Sequence, residues 1–287
     1  MEILGVCFAL LIGVSLGLLG GGGSILTVPI LLYVFTLPPR TAIATSLLVV
    51  GTTSAAALIP HARAARVRWR VGALFGATSM VGAYLAGRVG AHIPGAVQIL
   101  AFGVMMLVTA AAMMRGRKVP AGAAEGAGLP LGTMVAQGLG VGAVTGLVGA
   151  GGGFLVVPAL VLMGGLPMPV AVGTSLMVIA MNSFAGFAGY LSSVAIPWSI
   201  AAMVVTAAVL GSALGARLVR HVSPDRLRKG FAWFVVVMAV FILGQEVPRL
   251  FGVRVSVATH WPWLLAAMSV PPAVGGLLAL RRAHAPA

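Results

Sequence analysis

The chain repeats itself. Residues 17–31 (GLLGGGGSILTVPIL) lie over residues 146–160 (GLVGAGGGFLVVPAL) without a gap, at an offset of 129. The same offset sets Pro38 on Pro167, Thr45, Ser46 and Leu47 on Thr174, Ser175 and Leu176, Ser54 on Ser183, and Trp69 on Trp198. It continues through Gly82 on Gly211, Arg88 on Arg217 and His92 on His221. Agreement at one offset over about seventy-five residues marks a duplicated structural unit, so the fold must be built from two similar halves.

Composition names the solvent of that fold. Of 287 residues, 60% are hydrophobic and 8% charged, which lies outside the range of soluble domains. The 18 Lys and Arg against 4 Asp and Glu would suit a nucleic-acid binder only if they formed a basic face. They stand instead in short clusters between apolar runs, as Arg63, Arg66, Arg68 and Arg70 or as Arg115, Arg117 and Lys118, which is how orientation signals are distributed. No nucleic-acid partner is expected. Cys7, the single cysteine, excludes an internal disulfide and a multi-thiolate metal site. The first twenty residues open on Met1 and Glu2 without a basic region and read as membrane helix rather than a cleaved signal.

A helix needs about 17 to 25 apolar residues to cross the hydrocarbon. Runs of that kind cover 2–19, 41–60, 70–90, 94–114, 130–148, 169–191, 198–216, 229–246 and 261–280. Two further segments, 24–35 and 153–163, follow the glycine runs and are too short to span. The positive-inside rule puts the basic stretches 63–70, 115–118 and 217–229 and the tail at Arg281 and Arg282 in the cytoplasm. The uncharged turn 191–197 then lies outside, although it is the counterpart of the basic loop around Arg66, so the two copies face opposite ways. This closes if residues 1–36 and 130–164 each enter and leave on one side as a hairpin bent at its glycines. The expected fold is an all-α polytopic membrane protein of two inverted repeats, each a broken-helix hairpin plus three crossings. Repeat one is 1–118, a cytoplasmic linker 119–129, repeat two 130–246, and 261–280 an extra helix. The N-terminus is expected outside and the C-terminus in the cytoplasm, in a multi-pass protein of the cell membrane.

Irregular backbone is tolerated at membrane depth only where protein buries it or where it lines a polar cavity. The helices after the glycine runs begin with free N–H groups and a positive dipole end, an anion site that needs no basic side chain. The expected anion-binding residues are Gly20, Gly21, Gly22, Gly23 and Ser24 in the first copy and Gly149, Gly151, Gly152, Gly153 and Phe154 in the second. The bland reading, tight helix packing, is applied to Gly138, Gly142 and Gly146, whose counterparts are Ala9, Gly13 and Gly17.

Polar residues inside the spans are Thr45, Ser46, Thr52, Thr53 and Ser54 in one half and Thr174, Ser175, Asn182 and Ser183 in the other. Thr45, Ser46, Thr174, Ser175 and Asn182 are expected to help line the site, the alternative being hydrogen bonds between helices. Arg88 and Arg217 end equivalent helices, where they serve as interfacial anchors or as pathway electrostatics at the two mouths. The four carboxylates, Glu2, Glu125, Asp225 and Glu246, are all expected at ends or in loops, and His61 in a loop. Gly13, Ser15 and Gly17 fit the Gly-x-Ser-x-Gly elbow of serine hydrolases, but that motif needs a strand-turn-helix, whereas Ser15 stands in an apolar run. A scaffold would have no use for duplicated broken helices.

On residues 17–29, their copy at 146–158, and the stretches 42–47 (AIATSL) and 171–176 (AVGTSL), the chain resembles the TauE/SafE sulfite exporter family. The likeness covers both halves and most of the chain. It implies transport of an anion, usually export, across the cytoplasmic membrane, with sulfite, sulfoacetate and similar small organosulfur anions as the substrate class. The expected partners are that anion and the lipid bilayer, with a homodimer as one assembly open to it. No cofactor, metal or catalytic residue is expected.

Overall fold

The computed structural model describes residues 2–19, 24–114, 131–149, 151–162, 166–218 and 224–250. Among them every regular element is a helix: α1 (Glu2–Leu19), α2 (Ser24–Val34), α3 (Pro39–Arg63), α4 (Trp69–Gly90) and α5 (Gly95–Met114). Then come α6 (Leu131–Val148), α7 (Gly153–Leu162), α8 (Met168–Leu191), α9 (Trp198–Leu218) and α10 (Pro224–Leu250). The expected segment 261–280 and the linker 119–129 lie outside the described residues. Contacts divide the chain into two units, residues 1–98 with 118–222, and residues 99–117 with 223–287.

Equivalent stretches of the two copies fold alike. Pro38 and Pro167 open α3 and α8 with φ/ψ of −54°/146° and −55°/141°, the extended geometry that lets proline start a helix without losing a hydrogen bond. The amide of Leu37 donates to Leu31 O at 3.1 Å, and that of Leu166 to Leu160 O at 3.2 Å, the same bond 129 residues on. The segments after the glycine runs are short in both copies. α7 has ten residues, about 15 Å at 1.5 Å per residue, and α2 passes from a tight 3-10 turn into a π-widened turn over Ile30–Val34.

In the first unit the helices cross where side chains are missing. A methyl placed on Gly142 would strike Ser79 O and one on Gly146 would strike Ala83 O, so α6 lies directly on α4. At the equivalent crossing Gly13 faces Ala208 O, and α1 lies on α9 in the same manner. The reciprocal contacts match too: Gly82 abuts Leu139 O and Gly211 abuts Leu10 O. Such glycine-to-carbonyl approaches permit Cα–H···O contacts, which with close van der Waals packing hold helices where lipid removes the hydrophobic drive between them. Each copy's first helix therefore packs on the other copy's fourth element. α3 and α8 cross antiparallel, since Gly51 meets Ser183 while Gly186 meets Leu47.

The outward faces are apolar. Leu74, Val81, Leu85 and Val89 are exposed along one stripe of α4, and Leu210 and Leu214 along α9, whereas Ser79, Thr145, Asn182 and Ser183 are buried. A surface this greasy over an interior that buries several hydroxyls and an amide fits a hydrocarbon solvent. Three helices among the described residues are long and apolar enough to cross a membrane: Pro39–Arg63, Pro169–Leu191 and Trp198–Gly215. Nine such runs were expected. The apolar parts of α5, α6 and α10 are shorter, at Gly95–Val108, Gly132–Val148 and Val235–Pro248, while α4 carries Arg70 and Arg88 within its ends.

In the second unit, Gly103 of α5 receives Leu243 and Ile242 of α10. Two expectations are corrected here. Glu246, expected at a span's end, stands inside α10 with only 3% of its surface exposed, because the helix runs on to Leu250. His61, expected in a loop, lies in the last turn of α3.

The glycine crossings predict an asymmetry in stability. Gly142→Val should cost about 1–3 kcal/mol, since the added atoms must push the two helix backbones away from each other. Gly140→Ala, whose methyl meets nothing within 4 Å, should leave the thermal midpoint unchanged or raise it, as read by thermal unfolding in detergent.

Candidate anion site at the α6–α7 break

Between Val148 and Gly153 the chain takes a path that L side chains oppose. Gly149, Gly151 and Gly152 have φ of +78°, +62° and +77°, left-handed values that glycine reaches without cost. The corner is buried and tightly enclosed. A methyl on Gly149 would lie 2.7 Å from Ile43 Cγ2 and 2.9 Å from Ser46 Oγ. One on Gly151 would strike Val50 and come within 2.9 Å of Ser183 Oγ, and one on Gly152 would strike Thr145. The break thus sits among α3, α6 and α8, above a core of Val50, Phe75, Val156, Leu160, Val178 and Ile179.

A helix that stops inside an apolar solvent must find partners for its last carbonyls. At the end of α6, Thr145 O, Leu147 O and Gly149 O have them. Gly149 N donates to Thr145 O at 3.0 Å. Leu147 O accepts from Tyr190 OH at 3.1 Å and from Gln98 Nε2 at 3.2 Å, and the same Nε2 lies 2.7 Å from Tyr190 OH. Ser46 Oγ lies 2.6 Å from Gly149 O and 2.7 Å from Ile43 O, so its one proton serves two carbonyls. On the other side of the corner, Gly152 O accepts from Leu155 N and Val156 N at 2.9 and 2.8 Å and so caps α7. The amides ahead of Leu155 are those a helix start leaves without intrahelical partners, with a positive dipole end behind them.

Several buried side chains near these helices have no partner. Thr45 Oγ1, Ser54 Oγ, Ser183 Oγ and both amide atoms of Asn182 are unpaired, on residues that are 0% exposed. Each such group costs about 1–3 kcal/mol when left bare, so a group of them on α3 and α8 calls for a ligand or water. Ser183 is the best placed, against both Gly51 and Gly151.

The expected site residues divide accordingly. Gly149, Gly151, Gly152 and Gly153 form the buried corner, and Phe154 follows as the second residue of α7, its side chain outside the described set. Gly20, Gly21, Gly22 and Gly23 lie outside the described residues, and Ser24 is buried at the start of α2. Ser46 reaches the corner but spends its proton on carbonyls. Thr174 Oγ1 accepts from Arg68 N at 3.0 Å, which ties it to the α3–α4 loop, and Ser175 Oγ donates to Val172 O at 2.8 Å within its own helix. The counterpart of Arg68 is Pro197, which has no amide proton, and Thr45 accordingly lacks the bond that Thr174 makes. Arg88 is exposed at the end of α4, its Nη1 3.2 Å from Tyr84 OH, and the structure does not bring it to the corner. Arg217 lies in α9 with its side chain outside the described set. Ser15 lies within α1, so the strand-turn-helix of a nucleophile elbow is missing there. Sequence reasoning missed Gln98 and Tyr190, and nothing local marks them. Ser54 and Ser183 were legible, since a hydroxyl recurs at the same place in both copies.

The pattern described as "Sulfite exporter TauE/SafE" matches residues 5–242. The chain belongs to the TauE/SafE sulfite exporter family. A "Probable membrane transporter protein" of Xylella fastidiosa is 34% identical over 241 residues, covering 82% of this chain and 92% of that protein. "Probable membrane transporter protein YunE" of Bacillus subtilis is 30% identical over 242 residues, covering 75% and 87%. A probable membrane transporter protein of Methanocaldococcus jannaschii is 28% identical over 250 residues, covering 81% and 92%. No solved structure gives a significant match. This TauE/SafE protein is a multi-pass membrane transporter, and the segment 261–280 lies beyond the family match.

Ser46→Ala should destabilise the TauE/SafE fold by about 1–3 kcal/mol, because it strips the side-chain donor from Gly149 O. Ser175→Ala, which removes a bond internal to one helix, should cost less than about 1 kcal/mol in the same detergent unfolding assay.

Proposed function

We propose that the protein is a secondary transporter of a small sulfur-containing anion, such as sulfite, sulfoacetate or a similar organosulfonate, and that it works in export. The anion is held near the bilayer midplane by the amides that open the short helices after the two glycine runs. The observation that carries this reading is the buried α6–α7 corner, where left-handed glycines bring main chain against the unpaired Ser183 hydroxyl. A left-handed residue followed by a helical one turns successive N–H groups toward one point, a main-chain anion cradle. Family membership supports the class of function, and the antiparallel crossing of α3 and α8 supports two copies of opposite orientation around that cradle.

Export follows from the membrane potential. With the interior negative, each elementary charge moved is worth about 2.3 kcal/mol per 100 mV, so an anion leaves downhill. A second reading, uptake coupled to a cation, is favoured by one observation: Glu246 is buried within α10, and a carboxylate inside a membrane helix is a common proton-coupling group. Glu246→Gln should leave export currents intact under the first reading and abolish their dependence on a proton gradient under the second.

Solid-supported membrane electrophysiology with sulfite, sulfoacetate, thiosulfate and sulfate tests the substrate class. Currents above empty liposomes are expected for at least one of them, and silence for all four alongside a response to another anion ends the sulfur-anion reading. Gly153→Leu should reduce currents at least tenfold while the protein stays monodisperse. For orientation, cysteines are introduced on a Cys7→Ser background at two exposed loop positions. Ala64→Cys should label only after permeabilisation, and Ser193→Cys from the outside of intact cells. Labelling of both from one side would disprove the inversion.

A further inference from the structure

The corner has more unspent chemistry than a bare oxyanion can use. Ser183 Oγ has no partner and lies 2.9 Å from where a methyl on Gly151 would project, so the hydroxyl faces the main chain of the break. Ile179 Cγ2 lies 3.3 Å from the same point, and Gly186, further along α8, meets Gly146 with its own methyl position 3.4 Å from Gly146 Cα. Asn182 stands between them along α8, three residues after Ile179 and four before Gly186, spacings that put it on the same helix face as both. It is fully buried, and neither its Nδ2 nor its Oδ1 has a partner. Ser46, by contrast, already bonds Gly149 O and acts as a positioning residue.

An amide offers two donor hydrogens and one acceptor oxygen. A fully deprotonated oxyanion can only accept. It would pair with Nδ2, Ser183 Oγ and main-chain amides while leaving Asn182 Oδ1 without a partner on the ligand, and a site built around a buried polar group discriminates strongly against a ligand that leaves it unpaired. A ligand with acceptor oxygens and one O–H satisfies every group. Resting on the reading of the corner as the anion site, we propose that Asn182 and Ser183 are its ligand-facing side chains and that they select an anion bearing its own hydroxyl. That chemistry is met by a monoprotonated inorganic oxyanion or by a hydroxyalkanesulfonate.

The test compares ligands that differ in one O–H. The full chain is reconstituted in liposomes and assayed with ethanesulfonate, 2-hydroxyethanesulfonate, and sulfite at two pH values spanning its second ionisation. The expected result is a KM at least tenfold lower for 2-hydroxyethanesulfonate than for ethanesulfonate, or a flux per total sulfite that rises at the lower pH while ethanesulfonate flux stays level. The first outcome identifies the organic ligand and the second the inorganic one. Asn182→Leu should bring the two sulfonates within about twofold of each other, and Ser183→Ala should raise both KM values about tenfold without changing their ratio. The Ser183→Ala variant, nearly isosteric, still decides the matter if the leucine variant is not monodisperse. The proposal is overturned if wild type treats both sulfonates alike and shows no pH response with sulfite, or if the variants leave KM and preference unchanged, which would mean that only water fills the space. Absence of current for every ligand above empty liposomes would instead overturn the sulfur-anion transporter reading on which the proposal rests.

Discussion

Everything in the first unit depends on what becomes of a backbone that stops being helical while buried among other helices. Water cannot rescue the carbonyls that α6 leaves at its end, so other helices must supply donors. Ser46 from α3 serves Gly149 O, and Tyr190 from the end of α8 with Gln98 from the start of α5 serves Leu147 O. These side chains come from distant points in the chain. The break is therefore a place where several helices are fastened to one another through a single short stretch of main chain, with Leu147 O and Gly149 O satisfied by side chains of other helices. The amides that open α7 are left without partners inside their own helix.

This division explains why the polar residues of α3 and α8 look so uneven. Within one register of the repeat, Ser46 is committed to structure while Ser175 bonds only its own helix. Thr174 is committed to the loop before α4 while Thr45 is bare, because a proline replaces the donor. A duplicated sequence thus yields two halves that no longer do the same work. The unpaired groups that remain, above all Asn182 and Ser183, are those not recruited to hold the frame.

Much of the fold was legible because the offset of 129 is a geometric statement as well as a textual one. It carried over to the φ/ψ of Pro38 and Pro167, to the matched bonds of Leu37 and Leu166, and to the glycine crossings at Gly13 and Gly142. The glycines at 138, 142 and 146 read correctly as packing residues because a stripe at intervals of four faces one neighbour. What could not be read was tertiary choice. Nothing near Gln98 or Tyr190 announces that their polar ends converge on Leu147, and nothing near Glu246 says that α10 continues past it and buries it. Hydroxyls in a row on α3 and α8 gave a set of candidates, but only three-dimensional partners separated Ser46, Thr174 and Ser175 from Ser183.

The exchange of first helices between copies bears on how such a chain can come into being. While α1 leaves the ribosome, the surface around Gly13 that ends against α9 has no mate until nearly two hundred more residues have been synthesised. Over that interval the notch at Gly13 lacks the carbonyl of Ala208 that fills it in the folded chain. An ancestral gene holding one copy could have completed the same crossings only with a sister polypeptide lying antiparallel to it, so gene fusion would have turned an encounter between molecules into a covalent certainty.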